Sequence, residues 1–162
     1  MDESVERGLA RWPGVPDVYG WLRLDRRGNW LIRDPATGAF GRIGNAALNG
    51  FIARNYGCDG GGRWFFQNGP QRVFVALDYT PLVARLEDGR CCDQCGRLFE
   101  PVQALLDDEG SVLLAGHDGV ALLDDRDLLA FASHLGEDVE RLPRIPRDEV
   151  PARFRFVAEP AP

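Results

Sequence analysis

The chain has 162 residues, 44% hydrophobic and 27% charged, with a formal net charge of −6 at pH 7. A chain of this length buries roughly 70% of the surface it exposes when unfolded, enough for a core without metal or disulfide staples. The 19 basic residues are all Arg, which excludes a Walker A loop, a Schiff-base lysine and a lysine general base.

Residues 1–17 read as a short helix and a Pro-bounded linker. Val5, Leu9 and Trp12 stand at helical spacing ahead of Pro13 and Pro16, a stripe suited to docking on the body. Residues 18–24 and 30–33 are rich in β-branched and aromatic side chains around a turn at 25–29, which is a hairpin signal. Asp34-Pro35-Ala36-Thr37-Gly38 is a second turn, leading to a short strand at 39–43. Ala47, Leu48, Phe51, Ile52 and Tyr56 then share one stripe of a helix over 45–56, with Gly57 just past its end.

A loop at 58–62 precedes the clearest hairpin of the chain, 63–67 and 72–78, joined by Asn68-Gly69-Pro70-Gln71. In its return strand Val73, Val75 and Leu77 face one way and Phe74 and Ala76 the other. Such a strand is covered on both sides, or leaves one side open to a partner. Further strands are expected at 82–86, 98–106, 112–115 and 120–123, with a polar, Cys-bearing loop at 87–96. A second helix spans 125–135, with Asp124, Asp125 and Asp127 crowding its first turn, His134 in its last and Gly136 beyond it, in agreement with the helix dipole. The tail, 143–162, is Pro-rich. Its stretch 152–156 alternates in period 2, as an edge strand does, and Pro151 excludes it from a sheet centre.

Two stretches repeat. Leu24-Asp25-Arg26-Arg27-Gly28-Asn29-Trp30-Leu31-Ile32 matches Leu106-Asp107-Asp108-Glu109-Gly110-Ser111-Val112-Leu113-Leu114 at an offset of 82 (106 − 24). Each is a strand, a polar turn ending in Gly, and a second strand, and each is followed by an amphipathic helix. Repeats report architecture before they report anything else. The expected class is α+β, a curved and mostly antiparallel sheet with two pseudo-repeated strand–turn–strand–helix units. The expected organisation is a docking segment (1–17), one domain (18–142, with pseudo-repeats at 18–57 and 103–136) and a Pro-rich tail (143–162).

Reactive constellations are sparse. Cys91-Cys92-Asp93-Gln94-Cys95 contains one C-x-x-C knuckle, whereas a zinc tetrahedron is ordinarily completed by a second pair. Free thiols open to a thiol reagent are the simplest reading, with zinc and a redox pair as alternatives, and no metal or cofactor is expected. His117 sits in a turn, and His134 points about 100° away from Ser133 on one helix, so neither forms a nucleophile–base pair. Asp107-Asp108-Glu109-Gly110 lacks the spacing of a calcium loop. Gly60-Gly61-Gly62 precedes a strand, unlike a phosphate-binding loop. No catalytic residue is assigned. The candidate binding residues are Arg63, Trp64, Phe66, Asn68, Gln71 and Arg72, because Trp and Arg most often anchor interfaces.

Two stretches, Leu22-Arg23-Leu24-Asp25-Arg26-Arg27-Gly28-Asn29-Trp30 and Arg63-Trp64-Phe65-Phe66-Gln67-Asn68-Gly69-Pro70, resemble segments of uncharacterised proteobacterial families of unknown function. The resemblance implies a fold of repeated strand–helix motifs and a signalling or interaction role, and it brings no catalytic residues.

The acidic balance argues against nucleic acid, whose binders carry a basic stripe. No apolar run approaches the roughly 20 residues of a membrane span, and the acidic start of the chain has no signal-peptide pattern. The expected protein is a non-enzymatic cytoplasmic interaction or regulatory module with a protein partner. The alternative is a small-molecule-binding or hydrolytic protein, with Arg and carboxylate groups in a cleft between its halves.

Overall fold

The computed structural model describes residues 1–87, 89–135 and 139–162, without the side chains of His134 and Leu135. The chain is a mixed α+β protein whose strands form two six-stranded, mostly antiparallel sheets. Its contacts divide into two compact units, residues 1–25, 29–78 and 156–162 in the first and 26–28 and 79–155 in the second.

The first unit runs α1 (Glu3–Arg11), β1 (Val18–Leu24), β2 (Trp30–Arg33), β3 (Phe40–Arg42), α2 (Ala46–Arg54), β4 (Tyr56–Cys58), β5 (Trp64–Asn68) and β6 (Gln71–Leu77). The sheet order is β3-β2-β1-β6-β5-β4. Two antiparallel meanders, β1-β2-β3 and β4-β5-β6, are joined by the parallel pair β1–β6. Leu24, Ile52, Phe74 and Val75 are buried at its centre. Val5 is the buried residue of α1, while Trp12 is exposed.

The second unit runs β7 (Leu82–Glu87), β8 (Arg90–Cys92), β9 (Pro101–Asp107), β10 (Val112–Gly116), β11 (Gly119–Leu123), α3 (Leu128–Leu135), β12 (Arg144–Ile145) and α4 (Val150–Phe154). Its order is β12-β9-β10-β11-β7-β8, again with an internal parallel pair, β7–β11. From that pair outward both sheets follow one plan: a hairpin on one side (β1-β2, β7-β8) and a three-stranded meander on the other (β6-β5-β4, β11-β10-β9). The parallel pairs also close alike. The Asp78 N–H donates to the Leu24 carbonyl and the Asp124 N–H to the Ala84 carbonyl, each at 3.0 Å.

One turn chemistry recurs at Asp25, Asp59, Asp93 and Asp107. In each case the Asp carboxylate accepts the N–H four residues on, at 2.6 to 2.9 Å. The Asp N–H donates in turn to the carbonyl of that same residue. A glycine with positive φ stands at the fourth position, as a type I turn ending in a left-handed residue requires. The likeness of 24–32 to 106–114 is the likeness of two such turns. Each unit does hold a strand–turn–strand segment that leads to a helix, α2 or α3. By place in the sheet, however, the counterpart of β9-β10 is β4-β5, and that of β1-β2 is β7-β8.

Several elements differ from expectation for identifiable reasons. The helix expected over 45–56 is α2, which ends at Arg54 with Asn55 as its C-cap, and Tyr56 and Gly57 open β4 instead of finishing the helix. The polar stretch 87–96 contains a strand, β8, because Cys91 and Cys92 pair with Leu86 and Arg85. The tail stretch 152–156 is not an edge strand. Val150–Phe154 is helical, with Pro151 in the first turn, where its missing N–H forfeits no bond. The outer edge beside β9 is taken by β12, parallel to it. The expected helix stop at Gly136 lies outside the described residues.

Candidate functional site

The first unit holds an open apolar groove of ≈ 270 Å³. Its walls are Leu48, Phe51 and Ile52 of α2, and Trp21, Leu22, Ile32, Phe66 and Val73 of the sheet, with Asn68 as its polar side chain. Helix α2 is pinned at both ends. At its start the Asn45 side chain accepts the Leu48 N–H at 3.0 Å, and Asn49 Nδ2 donates to the Ile43 carbonyl at 3.0 Å. At its end Asn55 Nδ2 donates to the Phe51 carbonyl at 2.9 Å, while Asn55 Oδ1 accepts the Asp2 N–H at 2.8 Å. Between these anchors Phe51 meets Phe66 edge-on, ring centroids 5.4 Å apart.

The groove owes its apolar rim to an irregularity in β1. Opposite β6, Val18 pairs with Val73 and Leu22 with Val75, so β1 spends four residues where β6 spends two. Gly20, at φ +74°, sits in that bulge. The side chains of a regular strand alternate between faces, yet here the neighbours Trp21 and Leu22 both line the groove. Trp21, Ile32 and Leu48 remain 42%, 49% and 38% exposed, leaving a contiguous apolar surface of the kind associated with binding.

The six candidate residues of the 63–72 hairpin divide. Phe66 and Asn68 line the groove. Arg63 is paired with Asp59 at 2.8 Å and lies over the Phe74 ring. Trp64 stacks, tilted, on Tyr56, and Gln71 donates to the Pro16 carbonyl. Arg72 covers the Phe65 ring at 4.7 Å. Both faces of the hairpin are therefore covered, with Phe65 and Phe66 each buried. Trp21, Ile32 and Leu48 carry no binding signal in the sequence beyond Gly20 within a strand.

The remaining candidates are occupied structurally. Asp124 accepts the Arg126 N–H and guanidinium, and the guanidinium bond draws its carboxyl down to about 2. Asp127 accepts Arg85 Nε at 2.6 Å and the Leu86 N–H at 3.0 Å. His117 is exposed in the β10–β11 turn, and the His134 side chain lies outside the described residues. All four cysteines are free. Burial pushes the Cys95 thiol up to about 12 and the Cys91 thiol up to about 11, aided by Asp93 and Cys92 respectively. Both thiols are half-buried. Among the described residues no group of three or more His, Cys, Asp or Glu side chains is placed to hold a metal ion. No helix among them is long and apolar enough to cross a membrane.

By fold this is a mixed α+β protein of two six-stranded sheets. Residues 1–161 match the family model DUF2944, described as a protein of unknown function (DUF2946), and the chain belongs to that family. Its structure is similar to that of a DUF1285 family protein from Silicibacter pomeroyi DSS-3, with a TM-score of 0.54 and 16% identity, covering 77% of this chain and 74% of that one. It is also similar to a DUF1285 family protein from Shewanella baltica OS155, with a TM-score of 0.49 and 19% identity, covering 69% of this chain and 90% of that one. No curated protein matches the chain. The first of these likenesses is one of fold alone.

Proposed function

We propose that the chain is a non-enzymatic, cytoplasmic interaction module of regulatory type, which takes an apolar segment of a protein partner into the groove of its first unit. The observation that carries this reading is the lining. Trp21, Ile32 and Leu48 stand exposed at the rim over a buried Phe66 floor, and Asn68 supplies the polar group. Such a surface offers burial and shape, and its described lining holds no acid–base or nucleophilic pair. Small-ligand sites place several converging polar groups in a closed pocket, whereas this groove is open and has one. The hairpin expected to bind takes part through Phe66 and Asn68, and its arginines serve the hairpin itself.

The test is site-specific photocrosslinking in cells of the native host. A benzophenone amino acid is placed at Trp21 or Leu48, and at Leu129, an 84% exposed position of the second unit, as control. Defined protein adducts at positions 21 and 48 but not at 129 support the reading. Equal labelling at 129, or no adduct at either groove position, overturns it.

A further inference from the structure

The second unit contains a different cavity, also ≈ 270 Å³, whose lining belongs wholly to that unit. Arg26, Arg27 and Asp125 contribute its charges, Ser111 its hydroxyl, and Leu122 and Leu128 are among its apolar side chains. We propose that it binds a small organic monocarboxylate with an apolar body, the carboxylate on Arg26 and the body against the leucines.

The guanidinium of Arg26 is held ready for such a group. It donates to Ser111 Oγ at 2.8 Å and lies 5.0 Å over the Tyr79 ring. Among the described residues it makes no ion pair with a carboxylate. Its supports are themselves fixed from below. Tyr79 Oη donates to Asp107 Oδ2 at 2.8 Å, and the Ser111 N–H donates to Asp107 Oδ1 at 2.6 Å. Asp107 is fully buried. One inaccessible carboxylate thus fixes both the ring and the backbone of the serine that hold Arg26. Arranging a guanidinium before the ligand arrives removes part of the ordering cost of binding.

Charge and size define the ligand class. Two arginines and one aspartate line the cavity, and Arg27 is bonded to Asp125 at 3.2 Å. Among the described residues lining the cavity the balance is one positive charge, which complements a single negative one, and Asp125 disfavours a dianion such as a phosphate monoester. Guanidinium forks match a carboxylate in bidentate fashion. The volume lies just below the roughly 300 Å³ at which drug-sized pockets begin, so it suits a molecule of about ten non-hydrogen atoms. This site is independent of the groove, and its ligand is not the proposed protein partner.

The probe is phenylacetate, titrated calorimetrically into the full chain at low ionic strength. Phenyl phosphate, phenylacetamide and phenethylamine serve as the dianionic, neutral and cationic counterparts. The expected result is saturable binding of phenylacetate, at least tenfold weaker for each counterpart and for Arg26→Gln. Leu48→Ala, in the other unit, should leave it unchanged, which separates a failure here from a failure of the groove reading. Leu128→Trp fills the cavity without touching an arginine and should abolish binding, so the test stands even where Arg26→Gln does not fold. Absence of saturable phenylacetate binding, equal binding by phenethylamine, or undiminished binding by a folded Leu128→Trp variant overturns the proposal. Tighter binding of phenyl phosphate overturns the assignment to a monocarboxylate.

Discussion

Tyr79 and Asp107 form a buried pair, the phenol donating to the carboxylate at 2.8 Å. The carboxylate also accepts the N–H groups of Glu109 and Ser111, so one side chain both closes the β9–β10 turn and fixes an aromatic ring. Arg26 and Arg147 lie over that ring, at 5.0 and 4.6 Å from its centre. Tyr79→Phe keeps the ring and removes the donor, leaving a buried acceptor under-satisfied, a loss of about 1–3 kcal/mol. Burial, then the Asp107 bond, raise the Tyr79 hydroxyl well above its ordinary value. The folded value exceeds the unfolded one, so this contribution is complete below about pH 10 and declines as pH rises beyond it. Urea melts from pH 8 to 11 should therefore show an alkaline decline in the wild type that Tyr79→Phe flattens. Parallel curves would refute it.

Acid should act through Asp124. Its bond with the Arg126 guanidinium draws the carboxyl down from 3.8 to about 2. A depressed folded value gives stability that is present above the unfolded value and lost as pH falls through the folded one. The window is pH 4 to 2. Burial raises Asp59 and Asp127, but the backbone N–H groups and arginine side chains bonded to each, Arg63 and Gly61 for Asp59 and Arg85 and Leu86 for Asp127, together lower both, and they add to the same limb. Asp124→Asn should lose about 1 kcal/mol at pH 7, where an ionised cap bonded to Arg126 is replaced by a neutral one. It should also lose less than the wild type between pH 4 and 2. Thermal melts across that range supply the comparison.

What could be read from the sequence follows from the range of the interactions responsible. The hairpins were legible because their signals are local. An Asp, a Gly three residues on and flanking β-branched residues decide a turn within five positions, as at 25–29 and 107–111. The tail was misread because Phe154 and Phe156 alternate with Arg as in a strand, while Pro151 stands in the first turn of a short helix that Arg155, left-handed at φ 54°, ends. Strand β8 was hidden because Cys91 and Cys92 carry no strand pattern and are held by pairing with β7 on one side and by the Cys92–Leu98 bridge on the other. The groove depends on a bulge defined by β6, about fifty residues from β1. The second cavity depends on Arg26 meeting Ser111, 85 positions away. No spacing rule reaches that far.

The thiols provide a graded prediction. Reactivity follows the thiolate fraction and access. Cys95 is pushed up to about 12 and Cys91 up to about 11, chiefly by burial, while Cys58 is raised but exposed. At pH 8 a small maleimide or disulfide reagent should modify Cys58 well before Cys91, and Cys95 last. Mass mapping at timed intervals gives the order. Modification of Cys95 at a rate equal to that of Cys58 would mean that the β8–β9 connection opens readily in solution.

The rim and the floor of the groove should separate energetically, which checks that the groove is a surface and not a poorly filled core. Phe66 is 6% exposed and meets Phe51 edge-on. Phe66→Ala should cost about 3–5 kcal/mol, the range for truncating a buried aromatic side chain. Ile32 is 49% exposed in the middle of β2. Ile32→Thr keeps the β-branched shape that a strand favours, so the cost should stay within about 0.5 kcal/mol, as for most surface replacements. Leu48→Gln, on the exposed side of α2, retains a good helix former and should behave likewise. Denaturant midpoints of the three variants at one pH give the comparison. A loss above about 2 kcal/mol for Ile32→Thr or Leu48→Gln would place those side chains in the core and leave no open apolar face for a partner.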